Sequence, residues 1–158
     1  MPTTPMRWLE LKVPPPIVTL VCGGLAWVCA RETPRLMLAF AGRQLVAVAF
    51  VAAGVTLGVA GLLVFRRART TVDPHQPHRT SVLVERGPYR FTRNPMYLGL
   101  VLVLIGLCVF LANPLALLAV VFFIAYITRF QIIPEERALL LKFGESYARY
   151  VQAVRRWL

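Results

Sequence analysis

The longest uncharged stretch of the chain, residues 96–128, limits the possible folds more than any other sequence feature. A helix needs about 20 apolar residues to cross the roughly 30 Å of hydrocarbon in a membrane. This stretch is too long for one such helix and short for two. Asn113-Pro114 interrupts it near the middle, and this pair is typical of a helix start, with Asn as the N-cap and Pro as the first helical residue. We therefore predict a tight hairpin of transmembrane helices at 96–112 and 114–128.

Two further apolar segments precede this hairpin. Residues 45–65 carry no charge, and residues 13–30 lie between Lys12 and Arg31. The earlier segment could be a signal peptide, but no small-x-small cleavage site precedes Arg31, so we interpret it as a span with a proline-rich, irregular start. A chain that is 58% hydrophobic, in such blocks, exceeds what a small soluble domain can bury. The predicted fold class is a single all-α integral membrane domain, 1–158, with about four transmembrane helices; a soluble enzyme is excluded.

The positive charges predict the orientation of this domain. The N-terminal segment, the loop at 66–95 and the tail after residue 128 hold 15 of the 18 Lys and Arg residues. With four spans these segments share one side of the membrane, and the positive-inside rule places that side in the cytoplasm. We expect both termini and the active site there, at the inner membrane if the source is bacterial. The net charge of +11 then reflects topology and contact with anionic membrane lipids, with no nucleic-acid partner.

The sequence after the hairpin predicts an amphipathic helix at 135–156. Pro134 opens this segment, and Gly144 is expected to bend it. The apolar residues that recur three or four positions apart, and therefore share one helical face, are Leu139, Phe143, Tyr147, Tyr150, Val154 and Trp157. Such a face lies along lipid headgroups or packs over the end of a helical bundle.

Cysteines, histidines and glycines give weaker signals. Cys22, Cys29 and Cys108 lie in apolar stretches, which favours packing over disulfides or a metal site. His75 and His78, near Asp73, indicate a metal only weakly, because neighbouring prolines disfavour a regular helix; we predict no metal. Gly54, Gly58 and Gly61 form a small-residue stripe that favours helix packing within one chain or between two, so an oligomer is possible.

The loop at 66–95 is the most informative segment for function, because connections of this length are commonly functional. It ends in a basic and aromatic cluster that includes Tyr89 and Arg93, at the cytoplasmic mouth of the predicted hairpin. The far end of the hairpin returns an acidic pair, Glu135 and Glu136, to the same face. A basic cluster beside an acidic pair predicts a pocket for a zwitterionic cytosolic ligand.

Two ordered segments, GPYRFTRNPMYLG and PEERALLLKFGESYARYVQAV, resemble the isoprenylcysteine carboxyl methyltransferase and phospholipid methyltransferase superfamily. The family pattern runs Gly-x-Tyr, Arg-His-Pro-x-Tyr-x-Gly, a hydrophobic hairpin with Asn-Pro at its turn, Glu-Glu, and Phe-Gly-x-x-Tyr-x-x-Tyr. The resemblance covers roughly residues 70–155. One position departs from the pattern: Asn94 stands where most members have His, and Asn cannot act as a base.

The resemblance implies S-adenosylmethionine as cofactor, bound at the cytoplasmic mouth, with an amphiphilic acceptor entering from the bilayer. The cofactor-binding residues it implies are Gly87, Tyr89, Asn94, Pro95, Tyr97, Gly99, Glu135 and Glu136. The catalytic residues it implies are Arg93, Asn94 and Arg129. The glutamates would take the cofactor's ammonium or ribose hydroxyls, the arginines a carboxylate, and the tyrosines adenine or the sulfonium. Gly99 would let a ligand approach the helix backbone.

Each of these residues also has a purely structural interpretation. The glutamate pair suits the first turn of any helix, and Asn94-Pro95 is a common helix cap. Arg93 could be a membrane-interface anchor, and the tyrosines at 89 and 97 could belong to an interfacial aromatic belt. We interpret Tyr147 and Tyr150 as packing residues.

The resulting hypothesis is methyl transfer to a carboxylate or thiol of a lipid-like or small hydrophobic acceptor. A thiol or amine acceptor must lose a proton, for which His75, His78 or water would be the candidates. The alternatives are a phospholipid amine N-methyltransferase, a nicotinamide-dependent membrane reductase that binds pyrophosphate through basic residues of the loop, and a non-enzymatic scaffold whose basic loop binds anionic lipid.

Overall fold

A computed structural model of the chain describes residues 9–67 and 83–158. Within these ranges the protein contains helices and no β-strand, which confirms the predicted all-α class. The α-helices are α1 (Pro15–Glu32), α2 (Arg43–Arg67), α3 (Pro95–Leu111), α4 (Leu117–Ile127), α5 (Ile133–Phe143) and α6 (Glu145–Ala153). Short 3-10 turns lie at Pro34–Leu36, Gly87–Arg90 and Pro114–Ala116. By length and composition, Arg43–Arg67 and the continuous helical stretch Pro114–Phe143 could each cross a membrane.

The hairpin between α3 and α4 turns at the predicted Asn-Pro pair. Helix α3 ends at Leu111, one residue before the predicted boundary. The next residue, Ala112, adopts a left-handed backbone conformation with φ +52°. Asn113 Oδ1 accepts a hydrogen bond of 3.0 Å from the backbone N–H of Leu115, as an N-cap should. Its Nδ2 donates to the carbonyl and the hydroxyl of Thr33, which joins the turn to the end of α1.

The end of α4 differs from the prediction of separate helices at 114–128 and 135–156. A π-helical turn, Thr128–Ile132, connects α4 directly to α5, so helix continues past Pro134. Because proline has no backbone N–H, it leaves unused the carbonyl four residues earlier, that of Phe130. The N–H of Leu11 donates to this carbonyl at 2.9 Å. The Phe130 carbonyl, which Pro134 leaves without an intrahelical donor, therefore accepts its hydrogen bond from the N-terminal segment.

The predicted amphipathic helix is two helices, not one. Gly144 separates α5 from α6 with φ +52°, and α6 ends at Ala153 rather than at 156. The expected bend at Gly144 is therefore a break. Val154, the residue that follows α6, has an extended backbone conformation.

Helices α2 and α3 pack closely along their glycines. A Cβ atom on Gly99 would lie 2.6 Å from the carbonyl oxygen of Gly54 and 3.1 Å from the backbone nitrogen of Gly58. A Cβ on Gly106 would lie 2.9 Å from the carbonyl of Ala47. Of the two interpretations of the glycine stripe, packing within one chain or between two chains, the structure shows packing within one chain. Helix α2 fills the space beside Gly99. The prediction that a ligand approaches the helix backbone at Gly99 is therefore wrong.

Helix α1 packs against α3 and α4 to complete the core. Cys22 and Ala26 are fully buried there, together with Phe123 of α4. All three cysteines are free, and Cys22 and Cys108 are buried, which agrees with their interpretation as packing residues. This core holds the starts of α3 and α5 side by side at the charged end of the bundle.

Candidate active site

The 3-10 turn Gly87–Arg90 forms one wall of the charged end. Gly87 has φ +60°, and a Cβ atom there would meet Val64 of α2 at 3.0 Å. Tyr89 is buried, its ring lies edge-on to Phe65 with centroids 5.2 Å apart, and its carbonyl accepts a 2.7 Å hydrogen bond from the hydroxyl of Tyr150. Gly87 and Tyr89 therefore shape and fix the turn, and burial of Tyr89 excludes a place in an exposed aromatic belt.

Glu135 and Tyr97 join the starts of α5 and α3. The Tyr97 hydroxyl donates to Glu135 Oε1 at 2.5 Å, and the Tyr97 side chain is buried. Burial raises the pKa of Glu135 to about 8; the negative charge of Glu136 also raises it, and the Tyr97 hydrogen bond opposes both. Burial thus favours the protonated form of this carboxyl group.

Glu136 lies between two arginines. Its Oε1 is 2.9 Å from Nη1 of Arg93, while Arg156 donates to it through Nε at 3.1 Å and Nη2 at 2.7 Å. The Arg93 side chain is only 10% exposed and that of Glu136 17%, whereas Arg156 is 38% exposed. Of the two ion pairs that Glu136 forms, the one with Arg93 is therefore more buried than the one with Arg156.

Arg93 retains hydrogen-bonding capacity that the protein does not use. Burial raises the pKa of the neighbouring Tyr147 to about 12, and the positive charge of Arg93 partly offsets this effect. Within the described ranges, however, neither Nε nor Nη1 of Arg93 donates a hydrogen bond of good geometry. Buried N–H groups without acceptors are costly, and a planar guanidinium is well suited to a carboxylate. The arrangement therefore fits an anionic group of a ligand.

Asn94 occupies the N-cap position of α3 but does not cap it with its side chain. Its Nδ2 instead donates to the carbonyl of Arg156 at 2.9 Å, and the backbone N–H of Arg93 donates to the carbonyl of Arg155 at 3.0 Å. The predicted capping role of the Asn94 side chain is therefore wrong, because the C-terminal residues take its amide group. Pro95 is buried at the first turn of α3, against Gly61.

Arg129 belongs to a different cluster. Its Nη1 lies 2.9 Å from Glu10 Oε1, and the same glutamate pairs with Arg137 through Oε2. The structure thus places Arg93, Asn94, Tyr97, Glu135 and Glu136 together but pairs Arg129 elsewhere. His75, His78 and Asp73 lie outside the described residues.

Sequence reasoning missed one contributor to the cluster, Arg156. Tyr147 is buried and its ring contacts that of Tyr150, which agrees with its interpretation as a packing residue. Arg156 carried no signal in the sequence, because its contact with Glu136 depends on how the last residues fold back after α6.

Comparison with known proteins gives the family. The family model described as phospholipid methyltransferase matches residues 43–146. The chain belongs to the phospholipid methyltransferase family. An uncharacterized protein of Haemophilus influenzae is 52% identical over 63 residues, which cover 40% of this chain and 100% of the relative. No solved structure matches the chain.

Membership in the phospholipid methyltransferase family indicates a membrane methyltransferase and confirms the superfamily resemblance. The matched range contains Arg93, Tyr97 and the glutamate pair, so the charged cluster lies largely in the part that the family shares. Tyr147 and Arg156 fall beyond the matched residues. The family match therefore ends just before the C-terminal side of the cluster.

Proposed function

We propose that the protein catalyses S-adenosylmethionine-dependent methyl transfer to a carboxylate or thiol of a lipid-like or small hydrophobic acceptor, at the cytoplasmic face of a membrane. The single observation that carries this proposal is the buried Arg93 guanidinium, which forms an ion pair with Glu136 through Nη1 and whose Nε has no acceptor in the described part of the chain. Such an arrangement complements a zwitterion. Family membership supplies the reaction class.

The residues at the charged end fit the amino-acid part of this cofactor. Arg93 would hold its carboxylate through Nε, and Glu136 would hold its ammonium group. Glu135, whose Oε1 already accepts from Tyr97, would add a second carboxyl group. The family predicts the same residue pair for the cofactor, and the geometry supports Arg93 rather than Arg129 as its basic counterpart.

When bound, S-adenosylmethionine would supply an electrophilic methyl group on its sulfonium. The chain then has to place an acceptor in line with that methyl group and keep water away, which is catalysis by positioning. A carboxylate acceptor needs no proton transfer. This agrees with Asn94, whose amide cannot accept a proton and instead donates to the carbonyl of Arg156.

A phospholipid amine is the second candidate acceptor, and the description of the matching family favours it. An amine must lose a proton during methylation. Glu135 would take it in its ionised form, because its pKa of about 8 lies near the working pH and Tyr97 holds its Oε1 in place.

Thermal unfolding of the detergent-purified protein tests the proposal. S-adenosylmethionine, S-adenosylhomocysteine and NADPH are added separately, each over a concentration series. A ligand at 100 times its Kd stabilises the native state by about 2.7 kcal/mol, which is enough to raise the Tm measurably. We expect a shift with the first two ligands in the wild type, and its loss in Glu136→Gln.

Glu10→Gln is the matched control, since it neutralises a carboxylate that also bridges two arginines. It should retain the shift. Stabilisation by NADPH alone would replace the proposal with the reductase alternative. Folded protein that no ligand stabilises would favour the non-enzymatic scaffold.

A further inference from the structure

The last five residues, 154–158, which we call the C-terminal tail, fold back over the charged end. The tail leaves α6 in extended conformation at Val154. Its backbone accepts three hydrogen bonds from the segment before α3: from the N–H of Arg93, the hydroxyl of Thr92 and the amide of Asn94. Two of these bonds converge on the same carbonyl, that of Arg156.

The far end of the tail is anchored on the other side of the cluster. Trp157 Nε1 donates to the hydroxyl of Thr128 at 3.2 Å, and the indole packs against the core. Thr128 begins the π-helical turn that connects α4 to α5. The tail therefore bridges the start of α3 and the end of α4, and it crosses the charged cluster between them.

The Arg156 side chain points from this bridge onto Glu136. It forms a two-point contact with both carboxylate oxygens, through Nε and Nη2, and these hydrogen bonds raise the pKa of the arginine. Glu136 is the carboxylate that the proposed function assigns to the ammonium group of the cofactor. A guanidinium of the chain itself thus already occupies this position.

We propose that the C-terminal tail makes the site self-occluding: Arg156 competes with the ligand's ammonium group for Glu136 and must leave Glu136 when the cofactor binds. This inference rests on the proposed function. Asn94, at the position where the family pattern has His, is then a positioning residue that holds the tail through the Arg156 carbonyl.

The contacts allow the Arg156 side chain to leave while the backbone of the tail stays. The hydrogen bonds from Thr92 and Asn94 go to its carbonyl and not to its guanidinium. The side chain is the more exposed partner of Glu136, whereas Arg93 is buried and keeps its own ion pair with that carboxylate. Glu136 therefore retains a positive neighbour after Arg156 leaves.

Three variants of the full chain test the proposal. Arg156→Gln removes the competing charge but preserves the backbone carbonyl. Arg155→Gln is the matched control, because it removes the same charge from the adjacent, exposed side chain. Arg156→Lys keeps a cation in place. Kd is measured in detergent by calorimetry for S-adenosylhomocysteine and for methylthioadenosine, which lacks the amino-acid group, and ligand-free Tm values check folding.

We expect Arg156→Gln to bind S-adenosylhomocysteine about tenfold more tightly than wild type. This factor corresponds to a wild-type protein in which Arg156 is away from Glu136 in about one-tenth of the molecules. Arg155→Gln and Arg156→Lys should remain within about twofold of wild type, and methylthioadenosine should not distinguish Arg156→Gln from Arg155→Gln. Binding to Arg156→Gln but not to wild type would support the same mechanism more strongly.

Unchanged binding of S-adenosylhomocysteine by Arg156→Gln would show that Arg156 does not compete with the ligand. Weaker binding would show that Arg156 contacts the ligand directly. Either result would overturn the inference and leave the proposed function intact. If the wild type and all three variants are folded and none binds, the proposed function itself fails, and the competition fails with it. The two failures are therefore distinguishable.

Discussion

Two glutamates at the charged end, Glu136 and Glu10, each bridge two arginines, but their surroundings differ. Glu136 pairs with Arg93 and Arg156; Glu10 pairs with Arg129 and Arg137. The arginines on Glu10 are 34% and 45% exposed, so water can satisfy their remaining N–H groups. Arg93 is 10% exposed; its Nη1 is paired with Glu136, and its Nε has no acceptor in the described part of the chain.

The difference shows that ion-pair composition alone does not identify a site. The Glu10 cluster attaches the N-terminal segment to the end of the bundle, where Leu11 also bonds to the Phe130 carbonyl. In the Glu136 cluster, the buried Nε of Arg93 has no acceptor among the residues that the structure describes. Unused hydrogen-bonding capacity in a buried group is the feature that separates the two.

The largest effect that should separate the clusters is that of replacing their arginines. Arg93→Lys keeps the charge beside Glu136 but removes the planar pair of donors. We expect it to weaken binding of S-adenosylmethionine at least tenfold, which corresponds to about 1.4 kcal/mol. Arg129→Lys should leave binding unchanged. Calorimetry on both variants, with ligand-free Tm as the folding check, makes the comparison.

Decarboxylated S-adenosylmethionine sharpens this prediction, because it lacks the carboxylate assigned to Arg93. The wild type should bind it more weakly than the intact cofactor, and Arg93→Lys should bind the two about equally. An equal penalty for both ligands would show that Arg93 supports the fold of the site and does not contact the carboxylate. A loss of binding in Arg129→Lys would restore the role that the sequence predicted for Arg129.

The two clusters should also respond to pH in opposite directions. Burial raises the pKa of Glu135, beside Glu136, to about 8 in the folded protein, so the folded state keeps a proton that the unfolded state releases. This carboxyl group therefore lowers stability progressively as pH rises from about 4.5 to about 8. For Glu10, burial opposes ionisation, but the hydrogen bonds from Arg129 and Arg137 outweigh it and lower the pKa. Glu10 therefore loses its stabilising contribution as pH falls through its folded pKa.

Unfolding of Glu135→Gln and Glu10→Gln, measured by Tm between pH 4 and pH 9, tests this contrast. Glu135→Gln should flatten the decline in Tm between pH 5 and pH 8, and Glu10→Gln should flatten only the acidic limb. Ligand affinity adds a second readout: binding of a cationic cofactor to the wild type should rise several-fold as pH approaches 8. An unchanged decline in Glu135→Gln would show that this carboxyl group is ionised in the folded protein at neutral pH.

Local sequence signals predicted much of the fold. Asn113-Pro114 placed the hairpin turn within one residue, because the cap and the proline act on their own neighbours. The glycines at 54, 58 and 61 predicted close helix packing for the same reason. The π-helical turn before Pro134 was not predictable, since it depends on Leu11, more than a hundred residues earlier, as the donor to the Phe130 carbonyl.

The family pattern predicted part of the candidate site. Arg93, Tyr97, Glu135 and Glu136 were predicted and lie together. Gly99 was predicted as a ligand contact, but it packs against α2. A local sequence motif does not show which helix lies opposite it. The contact of Arg156 with Glu136 and the pairing of Arg129 with Glu10 both depend on tertiary folding of the chain ends.

The smallest expected effect is that of Glu10→Gln on stability and binding. Its arginines are partly exposed, and ion pairs of that kind contribute about 0–1 kcal/mol to the free energy of unfolding. We expect a loss within that range in chemical unfolding at neutral pH and an unchanged Kd for S-adenosylhomocysteine. If Glu10→Gln instead weakened binding as much as Glu136→Gln does, the two clusters would act as one site. The N-terminal segment would then be part of the ligand site, and the distinction drawn from burial and unused donors would be wrong.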